Sequence, residues 1–123
     1  MEDTRAERYA RTLAELIRCE TVSVIGQTGG EKFDRFHRLL QETFPHLFAA
    51  AQLEEFDGSL LLRWPGQTRE MPILLMSHHD VVEASGPWSH PPFAGEMDGG
   101  RLWGRGTLDT KGSLWAMLQA AEE

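Results

Sequence analysis

The sequence predicts an α/β fold with a mixed sheet, and three features carry that reading. Apolar residues recur at helical spacing near the start and the end of the chain. Short β-like runs lie between them, punctuated by Asp57-Gly58, Pro65-Gly66 and Asp98-Gly99-Gly100. One continuous apolar run, Ile73-Leu74-Leu75-Met76, has the form of a strand buried on both faces. Helices and strands thus intermix along 123 residues, one domain's worth of chain.

The first helix is announced by Thr4 and Glu7, spaced as a capping box, and continued by Leu13, Leu16 and Ile17 up to about Cys19. Gln27-Thr28-Gly29-Gly30 breaks the chain before a second helix over about residues 31–44. Phe33, Phe36, Leu40 and Phe44 form its stripe, and Pro45 marks its end. Two strands follow, residues 50–56 and 59–64, joined at Asp57-Gly58. The apolar strand over residues 71–77 leads into a loop rich in proline and aromatics, Gly86-Pro87-Trp88-Ser89-His90-Pro91-Pro92-Phe93. A hairpin then turns at Asp98-Gly99-Gly100 into Arg101-Leu102-Trp103. The last helix starts at Lys111 or Gly112, runs to Glu123, and carries Leu114, Met117, Leu118 and Ala121 on one face.

Composition narrows the function. A hydrophobic content of 41% suits a globular protein. The net charge of −7 speaks against nucleic acid and offers nothing to an anionic membrane surface. No apolar stretch approaches the ~20 residues of a membrane helix. Met1-Glu2-Asp3-Thr4-Arg5 lacks the layout of a signal peptide. Cys19 is the only cysteine and there is no asparagine, so neither an internal disulfide nor N-glycosylation is available. A reducing, cytoplasmic setting is expected.

Two phrases carry chemistry. In Ser77-His78-His79-Asp80-Val81-Val82, strand alternation puts His78 and Asp80 on one face and His79 on the other. The phrase directly follows the apolar run, where open α/β sheets place their ligand sites. A neutral imidazole is a good zinc ligand, and a carboxylate accepting its other N–H fixes the tautomer. His78 is favoured over His79, whose same-face neighbours Ser77 and Val81 provide no carboxylate. An ordinary core histidine with a loop-capping Asp80 fits the same letters. In Trp103-Gly104-Arg105-Gly106-Thr107-Leu108-Asp109-Thr110-Lys111-Gly112, glycines permit tight turns or close approach, and Asp109 stands before the last helix, as a metal ligand or as its cap. Gly104-Arg105-Gly106 lacks the third glycine of a dinucleotide fingerprint. Lys111 precedes its glycine, so no P-loop is present. No Gly-x-Ser-x-Gly elbow occurs.

Taken in order, the two phrases resemble the co-catalytic zinc peptidase family of aminoacylase, acetylornithine deacetylase and Gly-X carboxypeptidase, the M20 metallopeptidases. The resembling block runs over about residues 73–112. Within it, Trp88-Ser89-His90-Pro91-Pro92-Phe93 and residues 103–109 look like the carboxypeptidase S and Gly-X carboxypeptidase branch. The resemblance implies a three-layer zinc-peptidase-like catalytic domain. It also implies that His78 ligates one zinc, Asp109 bridges two, and Asp80 is the active-site acid that supports His78. Two metals ~3.5–4 Å apart activate water and polarise a carbonyl. The implied substrate is a peptide or an N-acyl amino acid, cleaved at its amide bond. His90 and Arg105 keep two readings each: His90 packs on Trp88 or reaches substrate, and Arg105 pairs with a structural acid or with a substrate carboxylate. Cys19 reads as a buried helix residue.

The family completes its site with a glutamate base, further acidic ligands and a late histidine. Glu122-Glu123 does not match that glutamate pair, because at 1.5 Å per residue it stands roughly 17 Å from the helix start. Residues 1–123 are therefore expected to be the N-terminal part of the catalytic domain, with the remainder and the dimerisation domain absent. Such a chain would be inactive alone and prone to self-association through an exposed sheet edge. A noncatalytic binding or scaffold module that retains half of the fold is the alternative.

Overall fold

The computed structural model describes residues 2–27 and 29–123. Thr28 of the expected break, and Met1, lie outside the described residues. The order is α1 (Arg5–Arg18), α2 (Glu31–Thr43), α3 (Pro45–Ala50), β1 (Gln52–Phe56), β2 (Ser59–Arg63), β3 (Glu96–Asp98), β4 (Arg101–Trp103) and α4 (Lys111–Glu122).

Helix α1 opens on the expected capping box: the Thr4 hydroxyl accepts from Glu7 N–H, and the Glu7 carboxylate accepts from Thr4 N–H at 2.7 Å. Helix α2 buries Phe33, Phe36 and Leu40 along its stripe, and with them His37. Pro45 does more than end α2. Its fixed φ and missing N–H suit the first position of a new helix, so it opens the short α3, which takes in Ala50 and starts β1 at Gln52. The next two N–H groups of α3, on His46 and Leu47, donate to the Glu122 carboxylate at 3.0 and 2.8 Å. Glu122 therefore serves as a helix-end partner far from the glycine turn that begins α4.

One core holds these pieces together. Leu16, Phe36, Leu40, Phe44 and Leu47 form its centre, with Leu60 and Leu62 of β2 and Leu114, Trp115, Leu118 and Ala121 of α4 packed around it. Each fully buried large side chain contributes roughly 1.5–3 kcal/mol. Leu114, Leu118 and Ala121 occupy the expected face of α4, and Trp115 joins them.

Both hairpins form as expected. Asp57 and Gly58 both take positive φ, as do Gly99 and Gly100, which is the two-residue turn that matches strand twist. The mixed sheet does not form within the described residues. β1 pairs only with β2 and β3 only with β4, both antiparallel, and the single parallel pairing is an isolated bridge between Val22 and Val81. The strand expected over residues 71–77 is likewise corrected. These residues join no ladder, and Met71, Ile73, Leu74, Leu75 and Met76 are 67–91% exposed. A continuous apolar run records a tendency to be buried on two faces. It does not supply the flanking strands, and each hairpin here satisfies its own partner.

Candidate metal centre

The segment bearing His78 is fixed from one side by the loop after α1. Val81 N–H donates to Thr21 O (2.9 Å), Ser23 N–H donates to Val81 O (3.0 Å), and the buried Thr21 hydroxyl donates to His79 O (2.5 Å). Backbone held extended in this way must alternate its side chains. His79 turns inward: its ring stacks on Phe36, meets Phe33 edge-on, and brings its Nε2 to 3.3 Å from Nε2 of His37. Burial first, and then the charge of His37, pushes the His79 ring down to about 4, and burial lowers His37 as well. Both rings are thus neutral near pH 7, one donating and the other accepting. His78 and Asp80 face the opposite way.

The second phrase is a compact turn. Arg105 N–H donates to Pro92 O (2.7 Å), and Lys111 N–H closes back on Gly106 O (2.8 Å). Gly106 has φ +90°, and a Cβ there would lie 2.9 Å from Cγ1 of the buried Val81. A side chain at 106 would hold the two phrases apart; glycine lets them meet. Ser77 Oγ adds a link, 3.3 Å from Thr110 Oγ1. Lys111 anchors the end of the turn. Its side chain is fully buried, and its ammonium donates to Leu16 O (2.9 Å) and Cys19 O (2.6 Å) at the C-terminus of α1, over the Phe36 ring. Burial pushes this amine down to about 8.

Asp109 is brought to His78 by this joint. His78 Nε2 stands 3.1 Å from Asp109 Oδ1, while His78 Nδ1 is 2.9 Å from the Asp80 carbonyl and 3.2 Å from Asp80 Oδ1. An imidazole that donates Nδ1–H to Asp80 presents a bare lone pair at Nε2. In that tautomer the lone pair meets another acceptor, the Asp109 carboxylate, and a cation between the two atoms completes the pair. Without metal the cation is a proton: the hydrogen bond to the Asp80 carbonyl, then the Asp109 and Asp80 carboxylates, raise the His78 pKa. Zinc suits the same two donors. At bond lengths of about 2.0–2.1 Å, two ligands of a tetrahedral ion stand about 3.4 Å apart, close to the separation found here. Among the described residues no group of three or more His, Cys, Asp or Glu side chains is gathered to hold a metal.

The pair opens onto a cleft of about 300 Å³ that Val82, Arg105, Thr107 and Leu108 also line. Among the described residues Arg105 pairs with no acid. It lies over Trp88, 5.0 Å to the ring centre, and donates to Glu83 O, while its buried Nε has no hydrogen-bond partner among the described residues. His90 stacks on Trp103 rather than Trp88, with Glu96 Oε2 2.9 Å from its Nδ1. Cys19, the C-cap of α1, is half-buried. Glu123 pairs with Arg5 and Tyr9. The sequence reading overlooked Thr21, His37 and Lys111. Of these His37 had a signal, since it occupies a core position of the α2 stripe. Lys111 had none, because a lysine opening a helix normally stays in solvent.

Among the described residues no helix is long and apolar enough to cross a membrane. Residues 74–123 match Peptidase family M20/M25/M40. Carboxypeptidase S of Saccharomyces cerevisiae is 36% identical over 99 residues, which are 74% of this chain and 17% of that protein. The N-fatty-acyl-amino acid synthase/hydrolase PM20D1 of Xenopus tropicalis is 35% identical over 127 residues, covering 95% of this chain and 25% of the relative. Succinyl-diaminopimelate desuccinylase of Methylococcus capsulatus is 36% identical over 111 residues, 88% and 27% of the two chains. The chain thus spans about a quarter or less of the length of these relatives. No solved structure matches it. The matched residues 74–123 contain His78, Asp80 and Asp109, and through that segment the chain is similar to peptidase family M20/M25/M40.

Proposed function

We propose that residues 1–123 are the N-terminal part of the three-layer catalytic domain of a di-zinc hydrolase that cleaves the amide bond of a peptide or an N-acyl amino acid. The observation that carries this is the convergence of His78 Nε2 and Asp109 Oδ1 at 3.1 Å, close to the separation of two ligands on one tetrahedral zinc. His78 would hold one zinc through Nε2, and Asp109 would be the ligand shared with a second. Zinc held there would lower the pKa of water to give a nucleophile near neutral pH and would polarise the scissile carbonyl. The chain's own residues prepare this. Asp80 holds the Nδ1 proton of His78 through its carbonyl and carboxylate, which fixes the tautomer and strengthens Nε2 as a donor. The glycine turn delivers Asp109, and Arg105 lines the same cleft as the metal pair. The relatives named as a carboxypeptidase, an N-acyl-amino acid hydrolase and a desuccinylase support the substrate class.

His78 and Asp109 are two direct ligands, fewer than the three protein ligands usual at a catalytic zinc. The 123-residue polypeptide by itself is accordingly proposed to be inactive, to reside in a reducing, cytoplasmic compartment in keeping with its lone Cys19, and to self-associate through the exposed apolar residues 73–76. Hydrolysis of N-acyl amino acids and dipeptides by the protein at its natural length, lost on chelation and restored by zinc, tests the main reading. Loss of turnover in both His78→Ala and Asp109→Ala supports it. Zinc binding with no hydrolysis of either class would favour the scaffold alternative. Turnover by the 123-residue polypeptide, abolished by Asp109→Ala, would overturn its proposed inactivity.

A further inference from the structure

His78 and Asp80 both line the cleft, but the residue between them points away from it. His79 lies in the core with its ring against α2, where an aliphatic side chain would satisfy the packing of Phe33 and Phe36 equally well. A buried imidazole needs a hydrogen-bond partner, and His37, itself buried in the α2 stripe, supplies it at 3.3 Å. The bond is directional where apolar contact is not. The main chain of the same residue is held as well, since the buried Thr21 hydroxyl donates to His79 O. His79 is thereby clamped at ring and carbonyl, and the residue before it is His78.

We propose that His37 is a positioning residue for the metal centre: its ring, bonded to that of His79, locks the backbone at His79 so that His78 Nε2 is aimed at Asp109. The inference rests on the reading of His78 and Asp109 as metal ligands. A hydrophobic residue at 79 would fill the volume but leave the segment free to rotate by the small angles that coordination does not tolerate. Neither His37 nor His79 touches the metal, and the effect passes wholly through the peptide between His79 and His78.

The test uses the metal-free protein at its natural length, with zinc as the probe, titrated in competition with a chromogenic chelator. The cobalt(II) absorption spectrum reports ligand geometry, and a thermal melt is recorded for each sample. His37→Leu and His79→Leu are each expected to weaken zinc binding by at least about tenfold and to alter the cobalt spectrum. His37→Gln, which keeps a donor and an acceptor, is expected to restore affinity to within about threefold of wild type. The double variant His37→Leu/His79→Leu is expected to be no weaker than either single variant, because both remove one bond. His79→Leu places an apolar side chain among phenylalanines, so it reports even where His37→Leu does not fold. Unchanged affinity and spectrum in the leucine variants, whatever their melting temperatures, overturn the proposal, as does equal weakening by His37→Gln. Wild-type protein that takes up no zinc overturns the metal-site reading along with it, whereas wild-type uptake with unaltered variants overturns this proposal alone.

Discussion

His78 Nε2 and Asp109 Oδ1 stand 3.1 Å apart although 31 positions separate them in the chain. With Nδ1 of His78 committed to Asp80, the metal-free pair is held by a proton on Nε2, which the Asp80 carbonyl and the two carboxylates favour. A metal bound here must therefore displace the proton that the metal-free pair holds, and zinc affinity is expected to rise with pH until His78 is fully deprotonated. Titration calorimetry in buffers of different ionisation enthalpy would count the released proton. His78→Ala or Asp109→Ala is expected to lower affinity by more than the roughly 10–100-fold that losing an outer-shell partner costs. Zinc uptake that neither substitution weakens would place the metal elsewhere.

Asp80 acts on His78 at two points, and they can be separated. Its carbonyl lies 2.9 Å from Nδ1 and its carboxylate 3.2 Å. Asp80→Asn keeps the carbonyl and removes only the charge, so the tautomer survives while the ligand loses basicity. The expected loss of zinc affinity is about tenfold, the low end for such partners. In the hydrolysis assay the reduction should fall on kcat more than on KM. A loss as large as that of His78→Ala would instead make Asp80 a ligand in its own right.

Much of this centre was legible in the letters, and the reasons differ residue by residue. Strand alternation separates His78 and Asp80 from His79 because side-chain period two is a property of any extended backbone. The Val22–Val81 bridge holds that backbone extended even without a full sheet. The glycines of the second phrase were readable as sites of close approach, but only the fold reveals that the surface approached by Gly106 is Val81. The apolar run at 73–76 misled because hydrophobicity states what a segment avoids, not which strand lies beside it. In the sequence Pro45 marks a stop, and in the fold it also acts as a start, since the same missing N–H permits both. His37 and Lys111 act through partners 42 and 92–95 positions away, which no local pattern encodes.

The contact of Gly106 with Val81 makes the turn sensitive to a single methyl group. Gly106→Ala requires an alanine at φ +90°, with its Cβ 2.9 Å from Val81 Cγ1. Gly112→Ala drives a Cβ into the Thr107 carbonyl, although inside a helix the same change would ordinarily add about 1 kcal/mol of stability. Both substitutions are expected to destabilise the protein by roughly 1–3 kcal/mol and to weaken zinc binding together with it. Urea unfolding and chelator competition on the same samples check this. A more stable Gly112→Ala would show that the turn yields without cost.

Lys111 places a cation inside the protein, with no carboxylate paired to it among the described residues. Replacing a buried charge by an apolar side chain of similar volume is often neutral, so Lys111→Met turns on what the ammonium leaves behind. Cys19 O keeps the N–H of Thr21, but Leu16 O is one of the last carbonyls of α1 and has no successor along the helix. One orphaned buried carbonyl costs about 1–3 kcal/mol, and that is the loss expected on urea unfolding. A variant as stable as wild type would mean that water replaces the ammonium.

The His37–His79 pair sets the acid limb of stability. In the unfolded chain both histidines take up protons as pH falls below about 6.5. In the folded protein His79 resists protonation down to about 4, by burial first and by the like charge of His37, and His37 is lowered too. The Gly58 backbone raises both rings, Glu55 and Asp34 also pull His37 upward, Asp80 does the same for His79, and Lys111 opposes it, but burial outweighs the upward pulls. The unfolded state therefore binds more protons between about pH 6.5 and 4, and stability is expected to fall throughout that window as pH is lowered. One proton sets a slope of about 1.4 kcal/mol per pH unit, and partial access of water to the ring reduces it. His78 has the opposite sign. Its raised pKa gives a stabilisation complete below about 6.5 and lost as pH rises through the folded value, outside the acid window. Urea midpoints of the metal-free protein, measured across this range, should decline with acidification and decline less in His79→Leu. An equal decline in that variant would assign the acid limb to the carboxylates instead.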